Sequence, residues 1–268
     1  MSRNLYIVPH DFTAVGDAAL NYAINLGQKV RTEIQLLHVV SDKSKLISSK
    51  QKLEKIAATI PANSSIEITT KVVLGNIFED IGKLAKKEGA QLIIMGTHGL
   101  TGMQKIFGSN IIKVVTSSDV PFLVVQKSTQ IKEVKRIIVP IDLTKESLQI
   151  TSLAGDLSKI YGADIHVIAE KESDEILARK LTNRISIVKD QYDDRGVISE
   201  VSLINSSGSY QKKVIEYAKK NNGDFIALAY HSESLLAMFD SFAQNLVVNE
   251  LSLPCLIINS KSASKLYF

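Results

Sequence analysis

Residues 5–13 read Leu-Tyr-Ile-Val-Pro-His-Asp-Phe-Thr, and residues 136–144 read Arg-Ile-Ile-Val-Pro-Ile-Asp-Leu-Thr. In each stretch a short apolar run precedes Pro, Asp and Thr at the same spacing, so that a shift of 131 residues superimposes the two. An apolar run of this length, ended by turn-forming residues, is typical of a strand buried on both faces. The pattern therefore predicts a central parallel strand, and it occurs twice.

The repeat continues through the rest of the chain. A shift of 133 residues matches Pro121 with Pro254, each followed by a similar apolar run. A period of about 130 residues is too long for a solenoid and indicates two copies of a whole domain. We predict one domain over 1–130 and a second over 131–268, joined by the polar stretch 127–135.

Within the first copy, apolar runs alternate with helical patterns. The predicted strands cover residues 5–8, 34–40, 66–73, 92–95 and 122–125. The third run has more polar alternation and is expected near an edge of the sheet. Strands separated by helices imply βαβ units, so each copy is expected to be a doubly wound, five-stranded, parallel α/β domain of the Rossmann-like kind. Such sheets bind ligands beyond the carboxyl ends of the strands, where the strand order reverses.

The composition is that of a soluble globular protein. Of the 268 residues, 45% are hydrophobic and 22% charged, and the net charge is +4. The small charge and the absence of Trp make nucleic acid an unexpected partner. No apolar stretch reaches the ~18 residues of a membrane span, and the N-terminus has no leader pattern, so we expect no membrane partner and a cytoplasmic location. The single cysteine, Cys255, is expected in a buried strand and permits no internal disulfide.

A glycine-bearing loop follows the fourth strand of the first copy. Glycine lets backbone N–H groups approach an anion closely, and a helix N-terminus just after the loop adds free N–H groups. The loop lacks the Gly-Lys-Ser/Thr ending of a P-loop, and no Gly-x-Gly-x-x-Gly follows the first strand. A phosphate site and a turn that only packs a helix against the sheet are both open interpretations of the four glycines, which are Gly96, Gly99, Gly102 and Gly108.

Four separated segments resemble the universal stress protein family in order and spacing. They are Val8-Pro9-His10-Asp11, Leu37-His38-Val39, Met95-Gly96-Thr97-His98-Gly99 through Gly108-Ser109, and Val120-Pro121-Phe122-Leu123-Val124-Val125. The resemblance covers essentially the whole chain and implies a tandem two-domain member. It also implies a site for ATP or ADP in the first copy, with Mg²⁺ accompanying the nucleotide.

The family pattern assigns roles to residues of this site. The adenine and ribose side would be lined by Pro9, Asp11 and Val39, the last through its backbone. The ribose and phosphates would be held by Gly96 and Gly99, and the phosphates again by Gly108, Ser109 and Asn110. His10 and His98 flank these motifs and complete the set of candidate nucleotide-binding residues.

Some of these residues have other interpretations. Asp11 is also suited to cap the turn into the first helix. His98 aligns with His231, which favours a structural role near the loop. A zinc site built from His10 and His38 is a lesser alternative. Between Gly99 and Gly108 the chain has eight residues where the family pattern has nine, a change that moves a backbone position by up to about 3.6 Å and alters the phosphate cradle.

The second copy has lost the glycines of the loop. The positions of Gly96, Gly99, Gly102 and Gly108 are taken by Ala229, Ser232, Leu235 and Ser241. Glu233 and Asp240 bring negative charge to the same segment, so we predict that this copy does not bind ATP in the family manner. Core packing, or the filling of the phosphate position, is expected of the apolar residues there, which are Leu236, Met238, Phe239 and Phe242.

Three functions follow from these patterns. The first is a nucleotide-dependent binding and regulatory module of a stress response, which is not an enzyme. The second is a slow ATP hydrolase, although phosphoryl transfer needs a placed metal and a water-orienting base, and the loop carries no carboxylate pair. The third is a stress protein that binds no nucleotide and acts through protein or small-ligand interactions. The resemblance further implies that the two domains pair as an internal pseudo-dimer, with a homodimer as an additional possibility.

Overall fold

A computed structural model describes residues 4–61, 66–98, 111–205, 208–230 and 238–260, and of residues 238–240 it describes the backbone alone. The chain divides into two compact units, Met1–Ile131 and Lys132–Phe268. The loop 99–110, which carries most of the expected phosphate contacts, and its counterpart 231–237 lie outside the described residues.

The first unit is a five-stranded parallel sheet with crossover helices. Its strands are β1 (Leu5–Pro9), β2 (Glu33–Val40), β3 (Glu67–Leu74), β4 (Leu92–Thr97) and β5 (Phe122–Gln126). Its helices are α1 (Ala14–Lys29), α2 (Leu46–Ala58), α3 (Ile77–Glu88) and α4 (Ile111–Thr116). The strand order is β3-β2-β1-β4-β5, and all four pairings are parallel. This order reverses between β1 and β4, which confirms the predicted doubly wound fold.

Local sequence explains where these elements begin. Leu5, Ile7 and Val8 are fully buried, as expected of a central strand covered on both faces. Thr13 is the N-cap of α1, and its hydroxyl accepts a hydrogen bond from the Val15 N–H. Strand β3 lies at the edge of the sheet and is only partly buried, in agreement with its polar alternation.

The second unit repeats the architecture. Its strands are β6 (Arg136–Pro140), β7 (Asp164–Glu170), β8 (Ser199–Ile204), β9 (Phe225–Tyr230) and β10 (Cys255–Asn259). Its helices are α5 (Ile150–Tyr161), α6 (Glu175–Asp194), α7 (Tyr210–Lys220) and α8 (Met238–Val247). The strands are parallel in the order β8-β7-β6-β9-β10. The same switch point therefore lies between β6 and β9.

The two units differ where the first helix starts. In the first unit, α1 begins at Ala14, directly after the Thr13 cap. In the second unit the corresponding segment, Glu146–Gln149, is a 3₁₀ helix, and α5 begins only at Ile150. The α-helix that follows the central strand thus starts about one turn later in the second unit.

Two further expectations concern the chain as a whole. Cys255 is fully buried in β10, as predicted, and burial raises the pKa of its thiol, which makes it an unreactive group. Over the described ranges, the helices are all too short or too polar to cross a membrane.

Candidate functional site

The first unit has a cavity of about 90 Å³ at the carboxyl ends of β1, β2 and β4. This is the switch-point edge at which the sequence places a ligand. Predicted site residues Pro9, His10, Asp11, Val39 and Gly96 all line it. The other lining residues come from the starts of α1 and α3 and from the strand ends, and they are Val15, Gly16, Leu37, His38, Ile77, Ile81 and Met95.

Asp11 forms the turn between β1 and α1. Its Oδ1 accepts hydrogen bonds from the Thr13 N–H at 3.0 Å and from the Thr13 hydroxyl at 2.6 Å. This is the capping role that the sequence also allowed. Within the described part of the chain, Oδ2 of Asp11 accepts no hydrogen bond, so one oxygen of a carboxylate that lines the cavity is available to a ligand.

His10 is held by the protein through both ring nitrogens. Its Nδ1 accepts a hydrogen bond from the Phe12 N–H at 3.0 Å, and its Nε2 lies 3.2 Å from Asp17 Oδ1. Acceptance at Nδ1 places the proton of the neutral ring on Nε2, where it is donated to Asp17. The side chain is 1% exposed, and burial lowers its pKa against the opposing effect of Asp17. Both ring nitrogens of His10 are therefore engaged by the protein and are not available to a ligand.

The packing of His10 depends on a glycine in α1. A Cβ added at Gly16 would lie 2.9 Å from Cε1 and Nδ1 of the His10 ring, closer than real Cβ atoms approach other groups. The imidazole consequently packs directly against the backbone of α1. Sequence reasoning missed Gly16 and Asp17, although their positions one turn into the helix that follows His10 are consistent with a contact to that residue.

His38 does not form a metal site with His10. The Nδ1–H of His38 donates to the His10 carbonyl at 2.7 Å, and its ring lies 4.2 Å from the ring of Phe12. Because both nitrogens of His10 already have protein partners, the pair does not offer the two imidazole lone pairs that zinc requires. In the portions of the chain that are described, no group of three His, Cys, Asp or Glu side chains is placed to hold a metal ion.

Val39 extends past the end of its neighbouring strand. The β1–β2 pairing ends at Pro9 opposite Leu37, and the last bond runs from the His10 N–H to the Leu37 carbonyl at 2.8 Å. Successive residues of a strand direct their peptide groups to opposite neighbours. The N–H and C=O of Val39 therefore point to the side that β1 no longer occupies, where they make no backbone hydrogen bond to described residues.

Gly96 allows the first helix to approach β4. A Cβ at this position would lie 2.3 Å from the Val15 carbonyl oxygen and 2.4 Å from Val15 Cγ1. The glycine is required by this close approach, whatever ligand the cavity holds. This packing role is the alternative that sequence analysis left open for the glycines of the loop.

His98 follows β4 at the start of the glycine-bearing loop. Its Nε2 is buried without a hydrogen-bond partner in the structure as described, and the same holds for the hydroxyl of Thr97. The predicted contacts of Gly99, Gly108, Ser109 and Asn110 lie outside the described residues.

The sequence matches the family model described as "Universal stress protein family" twice, over residues 6–126 and 133–259. The two matches together cover most of the chain. The chain belongs to the universal stress protein family.

Individual members of the family agree with this assignment. The chain is 30% identical over 144 residues to Universal stress protein MJ0531 of Methanocaldococcus jannaschii, an alignment that covers 47% of this chain and 85% of the relative. It is 27% identical over 152 residues to Universal stress protein MJ0577 of the same organism, covering 45% of this chain and 93% of the relative. A crystal structure of a universal stress protein from Archaeoglobus fulgidus superimposes with a TM-score of 0.77 at 18% identity, over 97% of this chain and all of the other.

The second universal stress protein domain has a larger cavity at the equivalent edge, about 330 Å³ in volume. Pro140 and Asp142 line it, as Pro9 and Asp11 line the first. Phe242, which was expected to pack in the core or to fill the phosphate position, lines this cavity. Of the other apolar residues expected there, Leu236 lies outside the described residues, as do the side chains of Met238 and Phe239.

Tyr210 is the residue of this second site that the sequence did not reveal. It begins α7, and its hydroxyl donates to the carbonyls of Ile141 and Ile168 at 2.8 and 2.9 Å. Its ring stacks on Phe242 with a centroid distance of 5.3 Å and an interplanar angle of 12°. The repeat aligns Tyr210 with Ile77 of the first domain, and this change from an apolar to an amphipathic residue is the signal that would have identified it.

Proposed function

We propose that the first domain of this universal stress protein binds ATP or ADP and acts as a nucleotide-dependent regulatory module. The observation that carries the proposal is that the N–H and C=O of Val39, at the cavity, make no backbone hydrogen bond to the described residues. An adenine presents a donor at N6 beside an acceptor at N1, which is the complement of one backbone C=O and one backbone N–H. Because β2 extends beyond the end of β1, its backbone presents this C=O and N–H without help from any side chain.

The remaining groups of the cavity fit the rest of a nucleoside. Asp11 has an oxygen available for a ribose hydroxyl, since carboxylates accept such hydrogen bonds strongly. The cavity of about 90 Å³ is smaller than the ~300 Å³ of a typical ligand pocket, so it suits the base, while the phosphates would extend over residues 99–110. We expect Mg²⁺ to enter with the nucleotide and to be held mainly by its phosphates.

Binding, rather than turnover, is the function that this arrangement favours. Among the described residues that line the cavity, Asp11 is the one carboxylate, and one of its oxygens is committed to Thr13. ATP hydrolysis needs a base or water-orienting group together with cations that stabilise the transition state. A slow hydrolase therefore stays the lesser alternative.

A nucleotide series tests the proposal. ATP and inosine triphosphate differ mainly at the edge that would face Val39, where inosine has an acceptor at O6 and a donor at N1. We expect the inosine nucleotide to bind at least about tenfold more weakly by isothermal titration calorimetry, a difference of about 1.4 kcal/mol. Equal affinity for the two would show that Val39 does not read the base.

A variant pair tests the ribose contact. Asp11→Asn should weaken ATP binding, whereas Asp190→Asn, the same change on an exposed surface of α6, should not. With 2′,3′-dideoxy-ATP, the Asp11→Asn variant and the wild type should bind alike, because the hydroxyls that Asp11 would contact are gone. A loss that persists with the dideoxy nucleotide would assign Asp11 to the turn alone.

Two measurements on the purified wild-type protein test the third function, that of a stress protein that binds no nucleotide. Freshly purified protein is denatured and the supernatant is analysed for adenine nucleotides, and the melting temperature is measured with and without ATP. A ligand that binds only the folded state must raise the melting temperature. No recovered nucleotide together with no ATP-induced rise would favour a protein that acts through other partners. The internal pairing of the two domains, a homodimer and the cytoplasmic location stay predictions.

A further inference from the structure

The second domain carries a ligand-sized cavity where the family loop has degenerated. Its volume of about 330 Å³ is more than three times that of the first domain and falls within the ~300–1,000 Å³ range of small-molecule pockets. It lies at the carboxyl ends of β6, β7 and β9. Ser147 of the 3₁₀ segment and Ala229 of β9 form part of its lining.

The charge of this cavity is negative. The ionisable carboxylates among its lining residues are Asp142 and Glu170, and no Lys or Arg is among the described residues that line it. Glu170 forms an ion pair with Lys213, which offsets one of the two charges. Asp142 is held by the turn, where its Oδ1 accepts from the Thr144 N–H at 2.7 Å and from the Thr144 hydroxyl. A phosphate placed here would face two carboxylates, and the described lining residues include no Lys or Arg to attract it.

One wall of the cavity is aromatic and fixed in place. Tyr210 is anchored through its hydroxyl to two backbone carbonyls and through its ring to Phe242. Burial raises the pKa of the Tyr210 hydroxyl, and the nearby carboxylates of Asp142 and Glu170 raise it further. A planar apolar group can therefore lie against aromatic surface close to negative charge.

We propose that the second domain binds a small amphipathic amine, with a planar apolar body against Tyr210 and Phe242 and an ammonium group toward Asp142. A carboxylate attracts the ammonium, and an electron-rich aromatic face favours a cation over an anion. The amine site differs in charge preference from the nucleotide site of the first domain.

Three indole compounds of similar shape test the charge preference on the full chain. Tryptamine carries an ammonium, 3-ethylindole is neutral and indole-3-propionate carries a carboxylate. We expect tryptamine to bind in calorimetry at least about tenfold more tightly than indole-3-propionate, with 3-ethylindole between them. Equal binding of the three, tighter binding of the anion, or no tryptamine binding up to about 1 mM would overturn the proposal.

Two variants locate the site. Asp142→Asn keeps the shape of the side chain, removes its charge and should weaken tryptamine at least about fivefold without a comparable effect on 3-ethylindole. Ala229→Val adds two methyl groups to the lining and should weaken both compounds. Asp190→Asn supplies the matched change of charge on an exposed surface and should leave the affinities as they are. Circular dichroism verifies folding, and unchanged tryptamine affinity in both folded cavity variants would refute the assignment.

Discussion

A methyl group at position 96 should disturb the first domain through backbone crowding. In the structure, the Cβ of a Gly96→Ala variant would lie 2.3 Å from the Val15 carbonyl oxygen, whereas real Cβ atoms essentially never come within 3.0 Å of another group. The start of α1 must therefore retreat from β4 by about 0.7 Å. The carbonyl belongs to the helix backbone and cannot rotate out of the way, as the end of a flexible side chain would.

The cost follows from this displacement. Overpacking that forces backbone shifts typically destabilises a protein by about 1–3 kcal/mol. For a unit of 131 residues this corresponds to a fall in melting temperature of roughly 3–10 °C. Scanning calorimetry measures the shift, and ATP titration of the same variant reports whether the cavity lined by Gly96 and Val15 changes with it. The repacked helix start should weaken nucleotide binding as well.

Two controls separate crowding from other effects of the substitution. Ala229→Gly makes the reverse change at the matching position of the second domain, where α5 starts later, and should cost only about 0.5–1 kcal/mol through backbone entropy. Adding Val15→Ala to Gly96→Ala removes the side-chain contact at 2.4 Å but leaves the carbonyl contact at 2.3 Å, so it should restore little stability. A Gly96→Ala protein as stable as the wild type, or full rescue by Val15→Ala, would refute the reasoning.

Three other results are expected. The pKa values of His10 and His166 are lowered by burial, so below about pH 6.5 the unfolded chain binds protons that the folded chain does not. The free energy of unfolding should therefore fall between pH 7 and 5 in urea titrations, and a flat profile would contradict this. Asn249→Ala should destabilise by about 2–4 kcal/mol in urea titrations, because this buried amide bonds the Leu246 carbonyl and both peptide groups of Leu253; a loss below 1 kcal/mol would argue against the network. Tyr210→Phe should cost about 1–2 kcal/mol by calorimetry, since the Ile141 carbonyl loses its hydroxyl donor while the Ile168 carbonyl keeps the Ile141 N–H, and a neutral change would mean that water replaces the hydroxyl.

The order and the approximate bounds of the strands could be predicted from the sequence because local patterns determine them. A buried apolar run such as 5–8 and a cap such as Thr13 act over a few residues, and they were located to within one or two positions. The dual nature of Asp11 was also accessible, because an Asp two residues before a Thr cap forms a local turn. The duplicated fold followed from the spacing of these short signals.

The finer geometry of the sites depends on contacts that spacing does not encode. Both His10 nitrogens find partners because α1 lies close to the end of β1. Gly16 allows this close approach, and the spacing of residues in the sequence does not show it. The large cavity of the second domain is lined by Ser147, in the 3₁₀ segment before α5, and by Tyr210. A comparison of the loop glycines in the two copies reveals neither feature. That comparison indicates that the second domain lost a nucleotide site, and it does not indicate that the site took on a different ligand preference.

The later start of α5 has a consequence for how the two copies diverged. A methyl at the Gly96 position crowds a helix that begins at Ala14, whereas Ala229 is present in a domain whose helix begins at Ile150. The two changes are thus epistatic, and a mutational path that introduced the alanine first would have passed through a destabilised intermediate. To convert the first copy into the second without that intermediate, the start of the helix after the central strand must change before, or together with, the residue at position 96.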